Sequence, residues 1–163
     1  MTMEVIDIVS MTERIAALGG HPPAGLAILP ENLATAATKS DLRQQVESDT
    51  VRTLLREHGI HFSEVFSDAD QPPYLQQYSY EWFGPTLFVS ASLLSQNPTA
   101  LSVALGIITN YLYDLFKGAT EGKASLKIVL ERPDGTCKQI MYQGPAEGMS
   151  EIASIVDALE KGP

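Results

Sequence analysis

Apolar and polar positions alternate, cluster and cycle differently along this chain, and the changes of rhythm mark its elements. The clearest rhythm is near the end. LKIVLERPDGTCKQIMYQG reads as a β-hairpin: Leu126–Glu131 and Cys137–Tyr142 are the strands, and Pro133-Asp134-Gly135 supplies the turn. Proline pre-sets φ there, and glycine takes the left-handed position. MSEIASIVDALEKG follows with Ile152, Ile155, Val156 and Leu159 at i, i+3, i+4 and i+7. That is one apolar helical face, with Ser150 as N-cap and Gly162 as stop.

Upstream the pattern is mixed. Val5 to Val9 reads either as a strand or as the lead into a helix, and MTERIAALGG as a short helix with Thr12 as cap and Gly19-Gly20 as stop. HPPAGLAILPENLATAATKS has no sustained period and three prolines, so it is expected to be mostly irregular, lying over the core through Leu26, Ile28 and Leu29. SDLRQQVESDTVRTLLREHGI carries Leu42, Val46, Val51, Leu54 and Leu55 at helical spacing. It predicts an amphipathic helix from Ser40 or Asp41 to Gly59, with a break at Ser48-Asp49-Thr50 where a fresh cap can start. HFSEVFSDADQPP is an acidic connector. Tyr78, Tyr80 and Trp82 then alternate as on one face of a strand, and PTLFVSASLL reads as a central strand.

NPTALSVALGIITNYLYDLFKG is the most apolar run. Asn97 and Pro98 suit a helix start and Gly118 a stop. About 19 residues at 1.5 Å each give about 28 Å, close to the hydrocarbon thickness of a bilayer. Asn110 and Asp114 are costly near lipid, and Lys117 and Lys123 flank one side alone. The reading preferred is a core helix, packed on a sheet and on another helix, with small residues such as Ser102 and Gly106 on a narrow face. The fold expected is therefore α+β: a small, mostly antiparallel sheet packed with three or four helices around one central apolar helix. One domain is expected over residues 1–163, helical and irregular over 1–73, then strand, central helix, hairpin and C-terminal helix over 74–163.

Charge narrows the partners. Twenty acidic against eleven basic side chains give a net charge of −9, which disfavours nucleic acid and an anionic membrane. Cys137 is the only cysteine, so no internal disulfide forms, and it reads as a strand residue. The first twenty residues place acids where an export signal has lysine or arginine. A cytoplasmic location is expected.

No nucleotide-binding glycine motif, nucleophile elbow or zinc-protease motif is present. His58 and His61 stand near Glu57, Glu64, Asp68 and Asp70, but Gly59 interrupts them and spacing fixes no third ligand. No catalytic residue, metal site or cofactor is assigned. Tyr78, Tyr80 and Trp82 are the candidate contact anchors, since tyrosine and tryptophan dominate interface hot spots. Replacing Trp82 with alanine is then expected to weaken association and leave folding cooperative. Glu81 and His61 are the candidate polar groups of a pocket between the aromatic segment and the apolar helix.

The order from Ala100 to Leu159 (an apolar helix ending in YLYDLFKG, a strand with LERPDG, a returning strand, a closing amphipathic helix) resembles the small effector-associated accessory domains of bacterial conflict and defence systems. The resemblance implies a non-catalytic domain that couples a sensor to an effector. WFGPTLFVSASLLSQNP is also similar to bacterial proteins of this size without a known function. The expected function is a non-enzymatic interaction or accessory module, self-associating as a homo-oligomer or binding a protein partner. The alternatives are a small ligand-binding protein or enzyme using that pocket, and a membrane-associated effector using helix 98–116.

Overall fold

The four-residue strand LAIL, buried along its whole length, is an inner strand of a six-stranded sheet, one place from the edge. The computed structural model describes residues 2–75, 81–117 and 122–161. In chain order the strands are β1 (Thr2–Ile8), β2 (Leu26–Leu29), β3 (Gln44–Gln45), β4 (Ser63–Glu64), β5 (Tyr74–Leu75), β6 (Trp82–Val89), β7 (Lys123–Glu131) and β8 (Cys137–Pro145). The helices are α1 (Met11–Ala17), α2 (Ser48–Glu57), α3 (Ala91–Gln96), α4 (Ala100–Leu115) and α5 (Ser150–Lys161). The sheet order is β1-β8-β7-β6-β2-β4, and β3 pairs with β5 beside it.

The fold is α+β, and its sheet is mixed. β1-β8, β8-β7 and β6-β2 are antiparallel, while β7-β6 and β2-β4 are parallel. The expected antiparallel bias gives way because α3 and α4 form a crossover between β6 and β7, which returns the chain parallel. Side-chain alternation divides the core into two layers. Leu26, Ile28, Leu87, Val89, Ile128 and Leu130 face α2, α4 and α5. Ala27, Leu29, Phe88 and Val129 face α1 and the 30–42 segment, which supplies Leu33, Ala36 and Leu42.

Several expectations are corrected. Residues 26–29 are a strand, because a strand buried on both faces shows no period. The helix expected over 40–59 begins at Ser48: Leu42 turns into the α1-side core, and Val46 is half exposed. The acidic connector contributes β4 and then buries Val65 and Phe66. The apolar helix, expected over 98–116, spans the 16 residues Ala100–Leu115, because Thr99 is its N-cap and Phe116 its C-cap. It is also enclosed on one face only. Leu101, Ala104, Leu105, Ile108 and Leu112 are buried, whereas Ser102, Val103, Gly106, Asn110 and Tyr113 are exposed.

Local chemistry explains several boundaries. The Ser10 hydroxyl, rather than Thr12, accepts from the Glu13 amide at 3.3 Å and caps α1. Thr12 instead donates to Glu131 at 2.8 Å, and the same carboxylate accepts from the Ala91 amide at 3.1 Å, tying α1 and α3 to the end of β7. The hairpin turn forms as predicted: Gly135 has φ +87°, and Asp134 accepts from the Thr136 amide at 3.0 Å and from its hydroxyl at 2.6 Å. Gly84 sits at the irregularity between Phe83 and Thr86. A Cβ there would meet the Trp82 ring at 2.5 Å.

Candidate functional site

Trp82 is the first residue of β6 and is 4 % exposed. Its indole N–H donates to the Glu47 carboxylate at 3.0 Å, and its ring packs in the core shared with α4. This is a core tryptophan with its one polar atom satisfied, so it presents no anchor to a partner. Aromatic alternation indicates a strand face but cannot say which face looks inward. Tyr78 and Tyr80 lie outside the described residues. Burial first, and the nearby Glu47 charge second, push the Tyr111 phenol of α4 above its ordinary pKa.

Glu81 is half-buried and accepts from Gln143 at 3.4 Å. His61 is exposed in the connector between α2 and β4. His58 closes α2, its Nδ1 lying 2.9 Å from the Leu54 carbonyl. Among the described residues no three histidine, cysteine or acidic side chains cluster closely enough to hold a metal ion.

A cavity lies elsewhere, under α2. Ile28, Pro30, Gln44, Arg52, Glu64 and Gln71 are among its lining residues, and neither Glu81, His61 nor any α4 residue lines it. It holds about 10 Å3 of space for solvent, roughly one water molecule. Its polar wall is an arginine network. Arg52 has a side chain 10 % exposed and donates to Glu64 at 2.7 Å, to Asp49 at 2.8 Å and to Gln44 at 2.9 Å. Gln71 donates to Glu64 at 3.3 Å and to the Phe66 carbonyl at 3.0 Å; Gln44 donates to the Pro72 carbonyl at 2.7 Å. The Tyr74 hydroxyl donates to Asp49. A guanidinium satisfied on all sides, beside room for one water, binds α2 to the 64–74 segment. One sequence signal marks it: Arg52 falls on the buried stripe of Ser48, Val51 and Leu55, where a charge requires partners.

The surface offers more than the interior. The outer face of α4 shows Val103 at 48 % and Tyr113 at 67 % exposure with Asp114 exposed beside them, while Leu115, at 49 %, continues the stripe of Ile108 and Leu112 at the end of the helix. No charged residue occurs between Ala100 and Tyr113. A Cβ built on Gly106 meets nothing within 4 Å, so the helix is open there. At the sheet edge, β1 exposes Val5 and Ile6. Among the described residues no helix is long and apolar enough to cross a membrane. No family model, curated protein or solved structure matches the chain.

Proposed function

We propose that this chain is a non-enzymatic interaction module that self-associates through the outer face of α4. The setting is the one implied by the resemblance of its C-terminal third, a bacterial defence or stress system, and the place of action is the cytoplasm. The supporting observation is the outer face of α4, which carries no charge from Ala100 to Tyr113 and a single carboxylate, Asp114, at its end, on a chain of net charge −9. A surface helix facing water ordinarily carries charge on that side. Two copies of so acidic a chain repel each other, except where the meeting surfaces are uncharged. Ser102 and Gly106 allow a second backbone to approach closely, and Val103 and Tyr113 supply apolar contact around them.

The experiment is the mass in solution, by light scattering on a sizing column, for the full chain and for Gly106→Glu. The open space at Gly106 admits the new side chain without disturbing the fold. The wild type is expected at a multiple of the 17.7 kDa chain mass, with the variant reduced to the monomer. A monomeric wild type, or an unchanged assembly in the variant, overturns the proposal.

A further inference from the structure

The geometry points to a second contact surface, independent of α4: the free edge of β1, which accepts an extended, basic segment of another protein as a seventh strand. β1 pairs with β8 over seven consecutive positions, from Thr2↔Gln143 to Ile8↔Cys137, without a bulge. Among the described residues nothing pairs with its other side. Such an edge presents a row of unused amide and carbonyl groups, and proteins commonly blunt it with lysine, proline, a bulge or brevity. β1 is seven residues long with no lysine, proline or bulge, and the charges it carries are both acidic. The opposite edge is protected: β4 has two residues and runs into buried Val65 and Phe66.

Charge selects the occupant. β1 carries Glu4 and Asp7 and no basic residue. Asp7 is already engaged by Lys138 at 2.9 Å. Glu4 is exposed, stands opposite Met141 on β8, and makes no ion pair among the described residues. Ile6, 41 % exposed, lies on the same face as Glu4, and Val5, 39 % exposed, on the other. On the Ile6 side Gln139 and Met141 are only half-buried and Gln143 is exposed, so an added strand extends a bare sheet face. A strand with lysine or arginine opposite Glu4 and apolar residues opposite Val5 and Ile6 satisfies both the ladder and the side chains.

The probe is a short, fluorescent peptide of alternating lysine and valine, with an alternating glutamate–valine peptide as control, titrated with the full chain and read by anisotropy. The lysine peptide is expected to bind about tenfold more tightly than the glutamate peptide, and Glu4→Lys to reverse the order. Hydrogen exchange is expected to slow at β1 when the lysine peptide is bound. Val5 and Ile6 point their amides in opposite directions across the ladder. One of the variants Val5→Pro and Ile6→Pro therefore spares the β8 pairing while removing an outward donor, and that variant is expected to lose the peptide. The Gly106→Glu variant is expected to bind as the wild type does, which separates this surface from the α4 contact. Equal binding of the two peptides, no binding of either, an unchanged preference in Glu4→Lys, or slowed exchange at β1 in the free chain through pairing with a second copy each overturns the proposal.

Discussion

The indole N–H of Trp82 and the carboxylate of Glu47 meet at 3.0 Å, joining the start of β6 to the residue that precedes α2. The tryptophan body is buried against the helical layer. Trp82→Ala is therefore expected to destabilise the fold by about 3–5 kcal/mol, and Glu47→Ala by about 1–2 kcal/mol through the orphaned indole donor. Urea denaturation followed by circular dichroism measures both. A Trp82→Ala chain that remains as stable as the wild type would remove Trp82 from the core.

Arg52 makes a sharper case, because Glu64, Asp49 and Gln44 all accept from its one guanidinium. Arg52→Met leaves Glu64 half-buried without its cation and Gln44 without its donor. The expected loss is about 3–5 kcal/mol. Arg52→Lys is expected to recover only part of that, since an ammonium cannot reach carboxylate and amide oxygens in the planar geometry of a guanidinium. Denaturation midpoints of the two variants decide it; equal stability of Arg52→Lys and wild type would show that charge alone suffices.

What the sequence discloses follows the range of the interaction involved. The β7–β8 hairpin is legible because Asp134, Gly135 and Thr136 satisfy one another within three residues. The inner face of α5 is legible because Ile152 and Val156 repeat at helical spacing and are buried. β2 is not, because a strand covered on both sides has no polar alternation to betray it. The Leu42–Val46 pair misleads in another way: the two are four apart in a segment that is not helical, and Leu42 belongs to the α1-side core and Val46 to the surface. The Arg52 partners lie up to 19 residues away, beyond any local pattern. The exposed side of α4 becomes visible only once the sheet shows which side of that helix it covers.

Acid sensitivity has a defined sign. Hydrogen bonds from Lys138 to Asp7, from Lys39 to Asp70 and from the Thr136 side chain to Asp134 hold these carboxyl groups below their ordinary pKa. A lowered folded-state pKa contributes stability that is present above the unfolded value and lost as pH falls through the folded one. The urea midpoint is expected to be flat above about pH 5 and to decline below about pH 4. Lys39→Met is expected to shrink that decline, as the largest cause that lowers the Asp70 pKa is then gone. Tyr74 acts in the opposite direction. Its hydrogen bond to Asp49 raises the phenol pKa, so its contribution is present below about pH 10 and lost as pH rises further. Tyr74→Phe is expected to remove that alkaline component.

Cys137 reports on opening of the whole fold. It is 1 % exposed, at the first position of β8, opposite Ile8 on β1 and Glu131 on β7. Burial pushes its thiol above the ordinary pKa, and the Glu131 charge adds to that. The thiolate is the reactive form, so both access and ionisation oppose modification in the folded chain. A thiol reagent is expected to label the native protein at the rate of global unfolding and the urea-denatured chain at the rate of a free thiol. Trp82→Ala and Arg52→Met are then expected to label faster than the wild type, in the order of their stability losses. Val5→Pro and Ile6→Pro act closer to the thiol. If fraying of β1 alone exposes Cys137, the proline variant that breaks β1–β8 pairing labels rapidly while α2 and α4 retain their helical signal. If exposure needs the whole fold to open, labelling and loss of helical signal move together.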